Sequence, residues 1–495
     1  MSSTQSPAPQ PNQQKVTTNI LWKFSGLGFK LLTQLAAVAV LSRLLPIEAF
    51  GVITYAMIFV NFTELLMQLG VGPAVIQNQN ATTLTIRVAF TLSVMAGVLG
   101  TLLLFAIAPL LASSSSDIPV FRTLAGFFLL SSFGAIADAL LQKQGRFKNI
   151  AIIESTSYFL GYALLTIILA FAGFGVYSLI FGVLAQVGIR SLFLLLTVRH
   201  SLIPSFARAE MRGIFRFGAG LTAARMFNFL ALNGDYFLVG RLIGERALGL
   251  YSRAFYIMRL PTDLLTTALH AVLFPSFAEI QNDRKKLCAA WLGAVRMSAT
   301  FVLPLMALLA VIAPELVPVF LGKGWEESVV PLQILTPIGF LNLYTLSDAL
   351  LKAAGEIKRQ MIGHALFAAA LLTAVFIGSQ NGLQGVAIGV VAANILMFVY
   401  MTARSLQILP AGVGDFFRQL RAGVVLGFVT AGAGLGARYF LTRFIASEIL
   451  VLSGTVLVAI LAALLAFQAP TEIFREIRQP AIRLLRSIFS KNKAA

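Results

Sequence analysis

From about position 20 to position 467 the chain runs repeatedly through twenty or more residues with scarcely a charge among them. At about 1.5 Å of helical rise per residue, each run is long enough to cross a hydrocarbon layer of roughly 30 Å. Backbone in hydrocarbon must satisfy its own N–H and C=O groups, so such runs fold as spanning helices. Composition agrees: 58% of the 495 residues are hydrophobic and only 12% charged, about half the charged share of a soluble domain. The fold class is an all-α polytopic membrane protein.

Polar breaks such as Ser-Ser-Ser-Ser-Asp at 113–117 and Ser-Gln-Asn-Gly-Leu-Gln-Gly at 379–385 divide the apolar region into about fourteen expected helices. Helices 1 and 2 are expected at 20–44 and 48–70, helix 4 at 118–141, helices 7 and 8 at 217–241 and 250–279, helix 9 at 287–312 and helix 10 at 327–351. Lys and Arg are unevenly shared between alternate loops. Twenty-five lie in one set of loops with the two tails, and eight in the opposite set. The positive-inside rule then puts both termini in the cytoplasm. It also accounts for the net charge of +18 without a nucleic-acid partner. Five basic residues remain inside spans: Lys30, Arg190, Arg225, Arg259 and Arg296. Each is costly in the bilayer unless it faces protein or water.

One phrase occurs twice. Ala-Asp-Ala-Leu-Leu-Gln-Lys-Gln-Gly-Arg-Phe-Lys at 137–148 is echoed by Ser-Asp-Ala-Leu-Leu-Lys-Ala-Ala-Gly-Glu-Ile-Lys at 347–358, which pairs Asp138 with Asp348 and Gly145 with Gly355. A second echo joins 41–56 to 239–254 and pairs Arg43 with Arg241 and Gly51 with Gly249. The echoes mark equivalent turns six helices apart. They imply a parallel duplication: a disordered cytoplasmic tail (1–19), a first six-helix lobe (20–198), a cytoplasmic linker (199–216), a second six-helix lobe (217–403), two further helices (404–467) and a basic amphipathic cytoplasmic tail (468–495). Parallel repeats about an axis along the membrane normal are a transporter architecture, with the substrate path between the lobes.

Polar side chains fall on the helices that this symmetry places beside such a path. Tyr256, Arg259, Asp263, Thr267 and His270 recur at helical spacing on helix 8. Helix 7 carries Arg225, Asn228 and Asp235, helix 1 carries Lys30, helix 2 carries Glu64 and helix 9 carries Arg296. Guanidinium groups can hold phosphate oxygens in a bidentate fork. The expected substrate-binding set is therefore Lys30, Arg225, Arg259, Arg296, Asn228 and Tyr256, for an anionic lipid head group. Asp263, His270, Asp235 and Glu64 are the expected coupling groups, because buried carboxylates and imidazoles can relay protons. Asp138 and Asp348 are expected to pair locally with Lys143 and Lys352. The single cysteine, Cys288, excludes an internal disulfide and a cysteine metal cluster. No metal or cofactor is expected.

The segments 233–261, 272–283 and 41–56 resemble the polysaccharide-transporter branch of the multidrug/oligosaccharidyl-lipid/polysaccharide exporter superfamily, the Wzx-type flippases. The resemblance implies two six-helix lobes in a V shape and a substrate of undecaprenyl-pyrophosphate-linked oligosaccharide. That substrate would pass from the cytoplasmic to the periplasmic leaflet of the inner membrane, by alternating access, for O-antigen, capsule or exopolysaccharide synthesis. The implied partners are that substrate and membrane lipids, with a polysaccharide polymerase and co-polymerase left open. A cation-coupled drug antiporter of the same superfamily is the alternative; Glu64 speaks for it, Lys30 against it. A membrane glycosyltransferase is disfavoured by the lack of a sizeable outer loop bearing carboxylate motifs.

Overall fold

The computed structural model describes residues 31–67 and 70–470 with Gly28 and Phe474, and the side chains of 215–228, 230–231 and 263–275 lie outside the described set. The expected first tail and nearly all of the expected last one fall outside the described residues. Contacts divide the chain into two compact units, Met1–Phe229 and Leu230–Ala495.

The first unit holds α1 (Leu31–Leu44), α2 (Ile47–Met67), α3 (Val71–Gln77), α4 (Thr83–Leu111), α5 (Ile118–Leu124), α6 (Gly126–Lys143), α7 (Phe147–Ser157), α8 (Leu165–Phe171), α9 (Val176–Thr197) and the first part of α10 (Arg208–Leu242). A π-helical segment, Tyr158–Leu164, joins α7 to α8. At the centre of the unit α6 packs on α3, α4 and α9. Small residues allow the close approach. A Cβ on Gly97 of α4 would lie 2.6 Å from the Ser132 Cβ, and one on Gly134 would lie 2.9 Å from the Ser191 Cα of α9. Ser191 Oγ then donates to the Leu130 carbonyl at 2.7 Å. Below this contact Val88, Ile136, Leu141 and Leu194 form a fully buried core.

The second unit holds the rest of α10, then α11 (Glu245–Glu279), α12 (Arg284–Leu321), α13 (Val329–Leu335), α14 (Pro337–Leu341), α15 (Tyr344–Ala353), α16 (Ile357–Ser379), α17 (Gly382–Ile408), α18 (Val413–Phe444) and α19 (Glu448–Gln468). The last two helices pack on each other and on α12. An ion pair fixes that contact: Arg438 Nε of α18 donates to Glu315 Oε1 of α12 at 2.7 Å.

Among the described residues there is no strand, and eleven helices are long and apolar enough to cross a membrane. α1 is apolar but shorter, and α10 and α11 fall outside the eleven. The all-helical polytopic class therefore stands, while the described residues supply eleven of the roughly fourteen expected spans. The duplicated phrase proves to be a helix stop. In α6 the Gly145 N–H donates to the Gln142 carbonyl at 3.0 Å and the Arg146 N–H to Leu141 at 3.0 Å. In α15 the Gly355 N–H donates to Lys352 at 3.1 Å and the Glu356 N–H to Leu351 at 2.8 Å. Both are Schellman closures, and both glycines take the left-handed conformation they require, with φ of 67° and 77°.

Other boundaries differ from expectation for local reasons. The span expected at 327–351 is cut into α13, α14 and α15, because Pro337 has no N–H to continue α13 and opens α14 instead. The span at 118–141 divides at Ala125, whose carbonyl accepts from Thr101 Oγ1 at 3.0 Å. Helix α12 continues to Leu321, with Pro304, Pro314 and Pro318 inside it. Helix α10 begins at Arg208, within the stretch expected as linker. The remainder of that stretch is strapped to α4: Arg87 donates to the Ile203 and Pro204 carbonyls at 3.1 and 3.3 Å, and the Ser205 N–H donates to Thr91 Oγ1 at 2.9 Å.

Candidate transport site

In the second unit the polar groups gather between α10, α11 and α15. Asp235 of α10 is only 3% exposed, and the fully buried Tyr251 of α11 donates its hydroxyl to Asp235 Oδ2 at 2.8 Å. Tyr236, Tyr251 and Phe255 pack ring to ring around this bond, with centroids 5.5–5.8 Å apart. One turn beyond Phe255, Arg259 sets its guanidinium carbon 5.9 Å from the Phe255 ring centre. Its charge acts both on the Asp235 carboxylate and on Tyr344 of α15. Arg259 is itself exposed within the unit, and Tyr256 is half-buried. A cation that is accessible, yet held beside a buried carboxylate and an aromatic wall, can meet an anionic group without leaving the protein.

On α15, Tyr344, Asp348 and Lys352 follow at four-residue spacing and share one face. Lys352 Nζ reaches Asp348 Oδ2 at 3.0 Å, as expected, and His364 Nε2 of α16 lies 3.0 Å from the other oxygen. Residue types alone did not single out Tyr251, Tyr344 or His364. Tyr251 and His364 meet their partners across a helix boundary, and only the repeated Asp348 marked the place. Arg296 of α12 is half-buried, and its carbonyl accepts Thr300 Oγ1 at 2.7 Å.

In the first unit Glu64 of α2, half-buried, lines a cavity of about 270 Å3 with Asp138 and Arg190. The expected Asp138–Lys143 pair does not form. Lys143 stands five residues on, where helical geometry turns it away, and its Nζ donates to the Asn78 carbonyl at 2.6 Å. Gln142 holds the i+4 place instead and donates to Asp138 Oδ2 at 3.2 Å. Arg190 of α9 pairs with the same oxygen at 3.1 Å, so this intramembrane cation is neutralised within its own unit. Lys30 lies outside the described residues. Arg225, Asn228, Asp263 and His270 lie on α10 and α11, but their side chains fall outside the described set. Of the ten expected site residues, Asp235, Tyr256 and Arg259 meet in one region, Glu64 stands in the other unit, and Arg296 stands on α12.

Residues 40–330 match the polysaccharide biosynthesis protein family. The chain belongs to that family. The matched stretch runs from α1 through the start of α13 and so includes Glu64, Asp235, Arg259 and Arg296. The chain is similar to the lipopolysaccharide biosynthesis protein WzxC of Escherichia coli (strain K12), with 26% identity over 369 residues, 73% of this chain and 75% of the relative. It is also similar to the teichuronic acid biosynthesis protein TuaB of Bacillus subtilis (strain 168), 26% identical over 394 residues, 77% of this chain and 80% of the relative. Among solved structures, the Lipid II flippase MurJ in an inward closed conformation matches with a TM-score of 0.70 at 16% identity, covering 90% of this chain and 98% of that one. An inward-facing MATE family multidrug resistance transporter matches with a TM-score of 0.61 at 19% identity, covering 77% and 95%. These two likenesses establish the fold. This polysaccharide biosynthesis family member is thus a multi-pass membrane protein with the fold of those two neighbours.

Proposed function

We propose that the protein is a flippase for a lipid-linked oligosaccharide. It moves undecaprenyl-pyrophosphate-linked sugar from the cytoplasmic to the periplasmic leaflet of the inner membrane by alternating access. The observation that carries the proposal is the family match over 40–330. The named products of the relatives, lipopolysaccharide and teichuronic acid, differ in sugar chemistry. A carrier lipid with a phosphate head is the common element that one fold could recognise. Arg259 supports this role, because a guanidinium beside an aromatic wall can hold phosphate oxygens bidentately. Lys30, Arg225, Asn228, Arg296 and Tyr256 complete the proposed binding set. Asp235 is the proposed coupling group, since a buried carboxylate held by one hydroxyl and one nearby guanidinium can change protonation as its surroundings open. Glu64, Asp263 and His270 are further coupling candidates. The uneven loop charges support cytoplasmic termini. Carriage of the polysaccharide by a polymerase and co-polymerase downstream belongs to the same proposal.

The test is surface polysaccharide in a strain lacking the gene, complemented with wild-type protein, Arg259→Ala or Arg259→Lys. Export should be lost with alanine at normal membrane abundance and partly kept with lysine, which retains charge but not the fork. Full export with Arg259→Ala would remove this residue from the site, and full surface polysaccharide in the uncomplemented strain would overturn the role.

A further inference from the structure

Between the end of α9 and the start of α10 the chain forms a non-helical strap, residues 198–207, that belongs wholly to the first unit. Helix α4 holds it. Arg87 donates to the Ile203 and Pro204 carbonyls, the Ser205 N–H donates to Thr91 Oγ1, and Pro204 has no N–H to satisfy. At the start of the strap the His200 ring meets Phe90 edge to face, with centroids 5.4 Å apart. While α4 takes these backbone groups, the apolar side chains of the strap stay accessible. Leu202 is 49% exposed, and Ile203 and Phe206 are each 62% exposed.

Single exposed apolar residues need no explanation, but three within five positions of a held strap do. The stretch that leads into the same helix α4 provides a contrast. Gln-Asn-Gln-Asn-Ala-Thr-Thr at 77–83 carries no large apolar side chain. Two observations select a lipid surface as the occupant. The first is continuity. Leu192 and Leu196 share a face in the last turns of α9, a helix long and apolar enough to span a membrane, and both are exposed. A soluble protein partner would account for the apolar triplet but not for its continuation of that face. The second is charge. Arg199, Arg208 and Arg212 bracket the triplet and are exposed, while the half-buried Glu210 is the only acid from 198 to 214. Cations that flank apolar side chains suit the boundary between anionic head groups and acyl chains. Non-helical backbone is tolerated near that depth where protein satisfies its polar groups, as Arg87 and Thr91 do here.

We propose that residues 199–212 form an interfacial anchor in an anionic leaflet. Leu202, Ile203 and Phe206 seat among the acyl chains, and Arg199, Arg208 and Arg212 meet the lipid phosphates. On the orientation proposed above the leaflet is the cytoplasmic one; nothing else in the proposal depends on that orientation. The anchor makes the segment that opens α10 sensitive to the composition of the surrounding lipid, apart from any contact with a transported substrate.

Nitroxide labels at Leu202→Cys and Phe206→Cys test this by power-saturation EPR. Each is made in full-length protein with Cys288→Ser, which removes the one native cysteine, and reconstituted in vesicles containing phosphatidylglycerol. Asn80→Cys, at an exposed position before α4, is the aqueous control. Labels at 202 and 206 should be relaxed by oxygen and shielded from a nickel chelate, and the label at 80 should show the reverse. Two labelled positions are used so that misfolding of one leaves the other informative. Each arginine near an anionic surface contributes about fivefold in affinity. Replacing all three with glutamine, or phosphatidylglycerol with phosphatidylcholine, should therefore move both labels toward the chelate. Chelate access at 202 and 206 equal to that at 80 would overturn the anchor. So would shielding from both relaxants, the mark of a covering protein or a second copy, and so would a depth indifferent to both the arginines and the lipid charge. The measurement needs neither substrate nor one orientation in the vesicle. Labels found in water defeat the anchor alone, and a lipid-linked sugar that fails to cross defeats the transport role alone.

Discussion

Replacing Tyr251 with phenylalanine isolates the hydrogen bond at the centre of the second unit's polar cluster. The ring is fully buried, edge-to-face with Tyr236 and tilted against Phe255, so phenylalanine keeps the packing and removes one hydroxyl. What is lost is the 2.8 Å bond to Asp235, whose carboxylate is 3% exposed and cannot recruit bulk water in exchange. Hydrogen bonds to charged groups contribute about 1.5–3 kcal/mol. For a unit of this size each kcal/mol moves the melting temperature by about 2–4 °C, so a fall of roughly 3–12 °C is expected. Trp291 and Trp325 are fully buried in the same unit, and their fluorescence in a detergent melt reports its unfolding. A double-mutant cycle with Asp235→Asn should return a coupling of about 1 kcal/mol or more. A Tyr251→Phe melt within about 1 °C of wild type, with an additive cycle, would refute the energetic role given to this bond.

Breaking the α12–α18 ion pair with Arg438→Ala leaves Glu315, 8% exposed, without its partner, and should cost about 3 kcal/mol, part of it recovered by adding Glu315→Gln; an undiminished melting temperature would contradict the pair's role. Gly145→Ala and Gly355→Ala each force a side chain into the left-handed region at φ 67° and 77° and should each cost about 1–2 kcal/mol, with asparagine milder, again read by thermal melts. Burial holds the His200 imidazole below its ordinary pKa of 6.5, against the edge of Phe90 at 5.4 Å. The unfolded chain therefore takes up this proton first, so stability should fall as pH drops through and below 6.5, and His200→Gln should flatten that part of the profile.

Most of the spans and the helix stop shared by the repeated phrase were legible in the sequence because both are local statements: hydropathy over twenty residues, and a phrase repeated with its glycine. Gly145 and Gly355 even carry the same closing hydrogen bonds. Partners set by tertiary packing were not legible. Asp138 looked like a match for Lys143, but Arg190, 52 residues away, is its partner, because the small residues of α6 and α9 bring those helices together. The break at Ala125 is marked in sequence only by Gly126, a weak signal inside an apolar run; in the fold a threonine on a neighbouring helix, Thr101, donates to the Ala125 carbonyl there. Helix α12 overran its expected end because its prolines sit in an apolar run that a membrane helix tolerates.

The central claim is tested most directly in proteoliposomes holding the purified protein and the lipid-linked oligosaccharide extracted from cells that lack it. An impermeant sugar-modifying enzyme added outside reaches only the outer leaflet in empty vesicles. With wild-type protein it should consume essentially all the labelled substrate, and with Arg259→Ala it should stop at the level of empty vesicles. Wild-type vesicles that stop at the same level as empty ones, with correctly inserted protein, would contradict the account.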